Sequence, residues 1–231
     1  NLHGAGDESS LRVRELQARV TIDHDERVCP WQDGIQERDR WVRLVNAHGA
    51  NARAEEVGIR APSIPPTVAG AAVVHVGAFH GARAWPVERF AVIARRLWDE
   101  GIPVVITGGK ADRKRAIQVA QLAGLPESVV QAGTASLEEF AALVASARFV
   151  LSVDTGAAHL ASAYGIPSVI IFGPAPPQEW GPPPGPHIVL THPHLRRGET
   201  FADDPDPALL AVSVEEVWEA TASLLSSGAL Q

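Results

Sequence analysis

The chain has 231 residues, 45% of them hydrophobic, with a formal net charge of −7 and one cysteine, Cys29. This content can bury a large core in one domain or two unequal ones, while the negative charge and the lack of a long Lys/Arg run exclude a general nucleic-acid surface or a polybasic anchor. One cysteine permits no intrachain disulfide and no Cys-based zinc site; no apolar run reaches the roughly 18 residues of a membrane span and no charged-then-apolar leader opens the chain, so a cytoplasmic protein is expected.

The sequence starts at Asn1 and lacks methionine, which is taken as the mark of a piece of a longer protein. Asn1 to Ser9 is polar and glycine-spaced and reads as a loop. Ser9 or Ser10 then caps a helix with an apolar stripe at Val13, Leu16 and Val20, and Thr21 to Gly34 reads as an acidic loop around a buried Cys29. A second helix is expected from Gln36 to His48, with Trp41, Leu44, Val45 and His48 on one face and Gly49 as its stop. Pro62, Pro65 and Pro66 interrupt regular structure between Ala50 and Gly70, which reads as an interdomain linker.

From Ala72 onward, strands are expected at 72–76, 102–107, 129–131, 149–153, 168–172 and 187–190, with helices between most of them. That alternation predicts a doubly wound parallel α/β sheet. The helix after Pro86 buries Phe90, Ile93, Ala94 and Leu97 and ends at Gly101, with Trp85 stapled onto it. Ser136 with Glu139, and Ser213 with Glu216, are capping boxes. Seven prolines between Pro174 and Pro186 crowd Trp180 and predict a semi-rigid lip, neither helix nor strand. His187, His192 and His194 straddle a strand end and a loop without matching carboxylates, so no metal site is expected there.

The chemistry is concentrated between Phe149 and Pro174. Asp154, Thr155 and Gly156 fall where a buried strand ends and an Ala-rich helix opens, the helix being closed by Gly165 and Pro167. Free N–H groups and the positive end of the helix dipole favour an anion there, and His159 adds a donor one turn in. Asp154 either caps the helix or accepts hydrogen bonds from hydroxyls of the same ligand; a phosphorylated sugar meets both needs. Each residue has an ordinary alternative, Asp and Thr as caps and His as a core residue, but their coincidence at one strand end favours a ligand.

Carboxyl ends of parallel strands share one edge, so other loops converge on this point. The first carries Gly77, open to close backbone approach, and Arg83, a cation suited to a diphosphate. The second carries Thr107, Gly108, Gly109 and Asp112, the last either a first-turn carboxylate or an acceptor for ribose hydroxyls. The third carries Gly133, Thr134 and Ala135, with room for a flat base.

Several segments, in order, resemble glycosyltransferase family 9, the ADP-heptose:lipopolysaccharide heptosyltransferase family. They are Val-His-Val-Gly ahead of Arg-Ala-Trp-Pro-Val-Glu-Arg-Phe, Val-Ile-Thr-Gly-Gly, Ala-Gly-Thr-Ala-Ser-Leu, Asp-Thr-Gly-Ala-Ala-His-Leu-Ala and Ile-Phe-Gly-Pro. The resemblance covers about Ala72 to Leu190, and the opening Asn-Leu-His-Gly-x-Gly resembles a loop late in the family's first domain. It implies a GT-B-like architecture of two Rossmann-like domains. Residues 1–68 would be a remnant of the acceptor-side domain with its linker, and 69–231 the nucleotide-sugar donor domain.

The resemblance also implies roles. Asp154 would accept from sugar hydroxyls, Thr155, Gly156 and His159 would hold the diphosphate, Arg83 would stand in for the family's lysine, Asp112 would face the ribose and Ala135 the base. Phe79 stands where the family often has a small hydroxyl residue. The implied activity is metal-independent, cofactor-free and inverting: transfer of a heptose-like sugar from an ADP-sugar to a saccharide or lipopolysaccharide-type glycolipid, peripheral to the inner membrane face. The catalytic base is expected upstream of Asn1, with His3 and Asp7 as local alternatives, so the chain reads as a donor-binding fragment. A nucleotide-sugar epimerase of similar form and a non-catalytic nucleotide-binding module remain open as other readings.

Overall fold

The computed structural model describes residues 6–25 and 27–227. The chain divides into two compact units, Asn1–Val57 with Gln178–Trp180, and Gly58–Pro177 with Gly181–Gln231. His3 and the opening loop through Ala5 lie outside the described residues.

In the first unit, α1 spans Asp7–Glu15 and starts earlier than its serines suggest. Gly6 is the N-cap and Asp7 and Glu8 occupy the first turn, where carboxylates complement the dipole. Ser10 is inside the helix and donates to Asp23 Oδ2 at 3.0 Å. The expected apolar stripe does not form: Gln17, at φ 48°, follows the end of α1, and Leu16 and Val20 fall beyond the helix, each 75% exposed. Helix α2, Glu37–Ala47, forms as expected and is followed by Gly49 at φ 92°. It buries Leu44 and the guanidinium of Arg40, which lies 4.1 Å above the Trp31 ring, donates to the Gln32 carbonyl and pairs with Glu37. Cys29 is buried.

The second unit is organised by the short β-branched runs, too apolar on both faces for an exposed sheet. Among the described residues they give five strands, β1 Ala72–His75, β2 Val104–Thr107, β3 Phe149–Val153, β4 Ser168–Ile171 and β5 His187–Leu190, all parallel in the order β2-β1-β3-β4-β5. The first strand lies between β2 and β3, so the crossovers run outward in opposite directions from the β1/β3 junction. Open sheets of this kind bind ligands at that reversal. Ala72, Val74 and Val76 pack on one face with helices α3 (Val87–Asp99), α4 (Arg113–Leu122) and α9 (Val214–Ser226). Val73, Val105 and Val150 pack on the other with α5 (Leu137–Ala145) and α6 (Gly156–Ala163).

Two expectations are corrected. The strand at 129–131 is one parallel bridge between Ile106 and Val130, because the chain enters from a tight turn at Glu127–Val129 and leaves at Gly133, φ 74°. The proline-rich lip contains a helical turn, α7, at Pro177–Trp180; Pro177 sits at its first position, where its fixed φ suits a helix and its missing N–H costs nothing. Helix α8, Pro207–Leu210, starts the same way under an Asp206 cap.

The loop that carries Arg83 is clamped from three sides. Trp85 and Phe90 form the expected staple, edge to face at 4.9 Å, and Trp85 Nε1 donates to the Val212 carbonyl at 3.1 Å. Arg115 of α4 donates to the carbonyls of Val76 and Trp85, bridging both ends of the loop. The 202–206 segment closes over it: Ala82 N–H donates to Ala202 O and Asp206 N–H to Ala82 O. A Cβ on Gly81 would stand 1.6 Å from the Asp203 carbonyl oxygen, so only glycine fits this crossing.

Candidate functional site

At the β1/β3 reversal, the clamped loop and the end of β3 bring two opposite charges together. Arg83 Nε lies 3.5 Å from Asp154 Oδ2, and His159 Nε2 lies 3.9 Å from Asp154 Oδ1. The Asp154 side chain is 7% exposed. Burial pushes its carboxyl above the usual range, opposed by Arg83 and then His159. Arg83 Nε is itself sealed from solvent and makes no well-aligned hydrogen bond, so the pair is held by charge and leaves directional capacity on both partners.

Asp154 does not cap the helix. Thr155 is the N-cap of α6, in extended conformation, and its Oγ1 pairs with Ser152 Oγ at 2.9 Å instead of capping. The Thr155 carbonyl accepts from Ala158 and His159, so the N–H groups of Gly156 and Ala157 precede the first bonds of the helix, the usual donors to an anion.

Two adjoining cavities flank this point. The larger, about 430 Å³, is lined by Ile59, His75, Leu137, Phe140, Gly156, Ala157, His159, Leu160 and Ala163. The smaller, about 190 Å³, is lined by His75, Thr107, Gly108, Gly109, Gln131, Ala135, Ser136, Leu137 and Phe140. Of the residues expected at the site, Gly156 and His159 face the first, while Thr107, Gly108 and Ala135 face the second. Gly77 and Asp112 meet beside His75: a Cβ on Gly77 would come within 2.7 Å of His75 Nε2 and 3.0 Å of Asp112 Oδ2. Asp112 also accepts from the Gly109 N–H at 2.8 Å, so it serves as a first-turn carboxylate.

His75 is the site residue that sequence reasoning passed over. It closes an apolar strand, its Nδ1 lies 3.0 Å from Thr107 Oγ1, and its ring tilts over Phe140 at 5.5 Å. Burial lowers its pKa from 6.5 to about 4 against the pull of Asp112, which keeps it neutral near pH 7. The signal in the sequence was a polar residue at the last position of a strand whose next neighbours are glycine-containing loop. The other strand-end histidines have structural partners: His187 Nδ1 bonds Ser168 Oγ at 2.8 Å and His192 Nε2 bonds Glu216 Oε1 at 3.0 Å.

The segments that carry these loops are similar in sequence to known proteins. The family model for glycosyltransferase family 9 (heptosyltransferase) matches residues 47–201, which include the loops after β1, β2 and β3. The chain belongs to glycosyltransferase family 9. Lipopolysaccharide heptosyltransferase 2 of Salmonella typhimurium is 29% identical over 157 residues, 64% of this chain and 44% of that protein. Lipopolysaccharide heptosyltransferase 1 of Pseudomonas aeruginosa is 37% identical over 94 residues, 40% of this chain and 26% of that protein. The chain thus spans less than half the length of these curated relatives.

Solved family 9 proteins share the fold. The Veillonella parvula enzyme superposes with a TM-score of 0.68 at 20% identity, over 89% of this chain and 62% of its own. E. coli heptosyltransferase WaaC, solved with ADP, gives 0.62 at 22% identity, over 84% of this chain and 58% of its own. The parallel sheet with flanking helices is therefore a GT-B-like family 9 fold. No helix among the described residues is long and apolar enough to cross a membrane.

Proposed function

We propose that this chain carries the nucleotide-sugar half of an inverting glycosyltransferase that moves a heptose-like sugar from an ADP-sugar to a saccharide or lipopolysaccharide-type acceptor, at the cytoplasmic side of a membrane it does not span. Residues 69–231 are assigned as the donor domain and 1–68 as acceptor-side remnant and linker. The observation that carries the reading is the buried Asp154 held against Arg83 at the sheet reversal, beside the open mouth of α6. A carboxylate there suits sugar hydroxyls and repels phosphate, while Arg83, His159 and the helix mouth suit phosphate. Together they match a sugar joined to a diphosphate. Solved E. coli WaaC has been captured with ADP and with ADP-2-deoxy-2-fluoro heptose, in keeping with this.

In that reaction an acceptor hydroxyl loses its proton as it attacks the anomeric carbon, and the nucleoside diphosphate departs. The departing charge is met by Arg83, by the His159 ring and by the Gly156 and Ala157 N–H groups, all preorganised before the step. Thr155 is fixed by Ser152, which keeps the helix mouth aimed. Asp154 orients the sugar. The general base is assigned to the acceptor side; of the carboxylates here, Asp112 accepts from Gly109, and Asp154 is paired with Arg83 and given to the donor sugar. Asp7 sits in the first turn of α1.

A thermal-shift titration with ADP, UDP and GDP tests the reading. ADP at 100 times its Kd is expected to stabilise the chain by about 2.7 kcal/mol. Arg83→Ala is expected to weaken ADP by roughly 10- to 100-fold, the worth of a charge-assisted hydrogen bond, with Arg83→Lys between the two. A shift that UDP or GDP produces more strongly keeps the site and changes the donor; no shift with any of the three refutes it.

A further inference from the structure

We propose that Phe79 and Phe201 form an aromatic platform on which an uncharged ring of the acceptor saccharide stacks while its reacting end faces the donor sugar. The inference rests on the transferase reading above and adds to it the chemical class of the acceptor, through two side chains that neither the charged pair nor the helix mouth uses.

Three observations converge on it. The first is exposure held in place. Phe79 is 92% exposed and Phe201 76%, so each ring forgoes most of the gain that burial gives an aromatic side chain. Both meet His80 edge to face, Phe79 at 4.8 Å and Phe201 at 5.0 Å, so one imidazole joins side chains from distant parts of the sequence. The backbone beneath them is fixed by the reciprocal bonds of Ala82 with Ala202 and Asp206, and by the packing of Gly81 on Asp203. Rings preorganised in this way lose little entropy when a ligand binds.

The second is charge. Asp203 and Asp204 follow Phe201 closely, are exposed, and enter no side-chain hydrogen bond or ion pair among the described residues. The cations of the same segment are turned to the protein: Arg196 donates to the Gly173 carbonyl and the Thr191 hydroxyl, and Arg197 donates to the Asp204 carbonyl and pairs with Glu199. Carboxylates beside the rings repel an anionic lipid headgroup, and a two-fold contact between copies would bring like charges together. Hydroxyls suit them, since a carboxylate only accepts hydrogen bonds. An uncharged sugar ring supplies both complements, C–H groups on its face for the phenyl rings and hydroxyls at its edge for the carboxylates.

The third is position. Phe79 lies four residues before Arg83 in one loop, so their Cα atoms are within about 14 Å of each other, and Arg83 is 3.5 Å from Asp154. An oligosaccharide whose reacting end sits at the donor sugar spans that distance. Phe79 also stands where the family often has a small hydroxyl residue, so the ring is a departure from the family pattern.

Aromatic NMR of the phenylalanine-labelled chain, saturated with ADP, tests the inference with cellobiose, with cellobiouronate, in which one hydroxymethyl is oxidised to a carboxylate, and with phosphatidylglycerol vesicles. The Phe79 and Phe201 ring signals, assigned from their alanine variants, are expected to shift together along one saturable cellobiose curve while the buried rings of Phe90, Phe149 and Phe172 stay in place. Cellobiouronate is expected to bind several-fold more weakly. Phe79→Ala and Phe201→Ala are each expected to weaken cellobiose roughly 3- to 10-fold, the worth of one aromatic contact, with the melting temperature unmoved because both side chains are exposed; Phe79→Tyr keeps the ring and the affinity. Saturable ADP binding with rings that do not answer to cellobiose, that prefer cellobiouronate, or that answer only to vesicles or to rising protein concentration overturns this inference and leaves the nucleotide-sugar reading standing. A chain that binds no ADP overturns that reading, and with it the assignment of these rings to an acceptor.

Discussion

Asp154→Asn is expected to make the unliganded chain more stable at neutral pH and to abolish the extra stabilisation that an ADP-sugar gives over ADP. The carboxyl is buried, and loss of hydration is the largest influence on it, outweighing Arg83 and His159 and raising its pKa above 3.8. The folded state therefore holds this proton more tightly than the unfolded chain. The group's contribution to stability is fully present below pH 3.8 and is lost as pH rises through its folded pKa. Asparagine keeps the shape without the charge. Arg83, whose side chain is 26% exposed although its Nε is sealed, keeps part of its hydration when its partner is neutralised.

The stability gap between variant and wild type should open as pH rises above 3.8 in urea denaturation series. The functional loss comes from the same change. Hydrogen bonds from sugar hydroxyls to a carboxylate are worth about 1.5–3 kcal/mol, so the ADP-sugar should lose roughly 10- to 100-fold in affinity while ADP loses little. A variant less stable than wild type at pH 7, or one that keeps the sugar increment, contradicts this account of Asp154.

Trp85→Ala is expected to cost the sheet-bearing unit about 3–5 kcal/mol, the usual loss for truncating a buried aromatic, out of a typical total of about 5–15 kcal/mol. Trp85 is fully buried, stacks edge to face on Phe90 and ties the loop after β1 to the 212 segment. Its carbonyl also receives Arg115, which holds the other end of the loop at Val76. The melting temperature should fall by roughly 10 °C, and at temperatures where the variant stays folded, ADP should bind more weakly because Arg83 is no longer fixed opposite Asp154. Trp85→Phe should lose less on both counts. A loss under about 1 kcal/mol for the alanine variant would mean that the staple does not hold this loop.

Much of this fold was legible because local and long-range preferences agree. The helix after Pro86 declared itself through Phe90, Ile93, Ala94 and Leu97, and the two capping boxes form with reciprocal bonds. Disagreement arose where a residue's setting depends on partners distant in sequence. Val13, Leu16 and Val20 have helical spacing, yet the helix stops at Glu15 and the stripe finds no core. The 129–131 run has strand composition but reaches β2 at only one bridge.

The site shows the same division. Asp154, Thr155, Gly156 and His159 were visible because four polar or small residues at one strand end are improbable in a buried sheet. The approach of Arg83 to Asp154 depends on the clasp between Gly81 and Asp203, more than a hundred residues apart in sequence, and no local pattern encodes it. His75 was passed over because its environment is made by Thr107, Asp112 and Phe140, each from a different element.

The central claim is that the ends of β1, β2 and β3 form one nucleotide site, and amide NMR of the labelled chain during an ADP titration tests it most directly. The account predicts that the Gly77, Gly108, Thr155 and Gly156 amides shift together along one saturable curve, with α1 and the first turns of α9 unmoved. Saturable ADP binding that shifts amides elsewhere and leaves those four in place would contradict it.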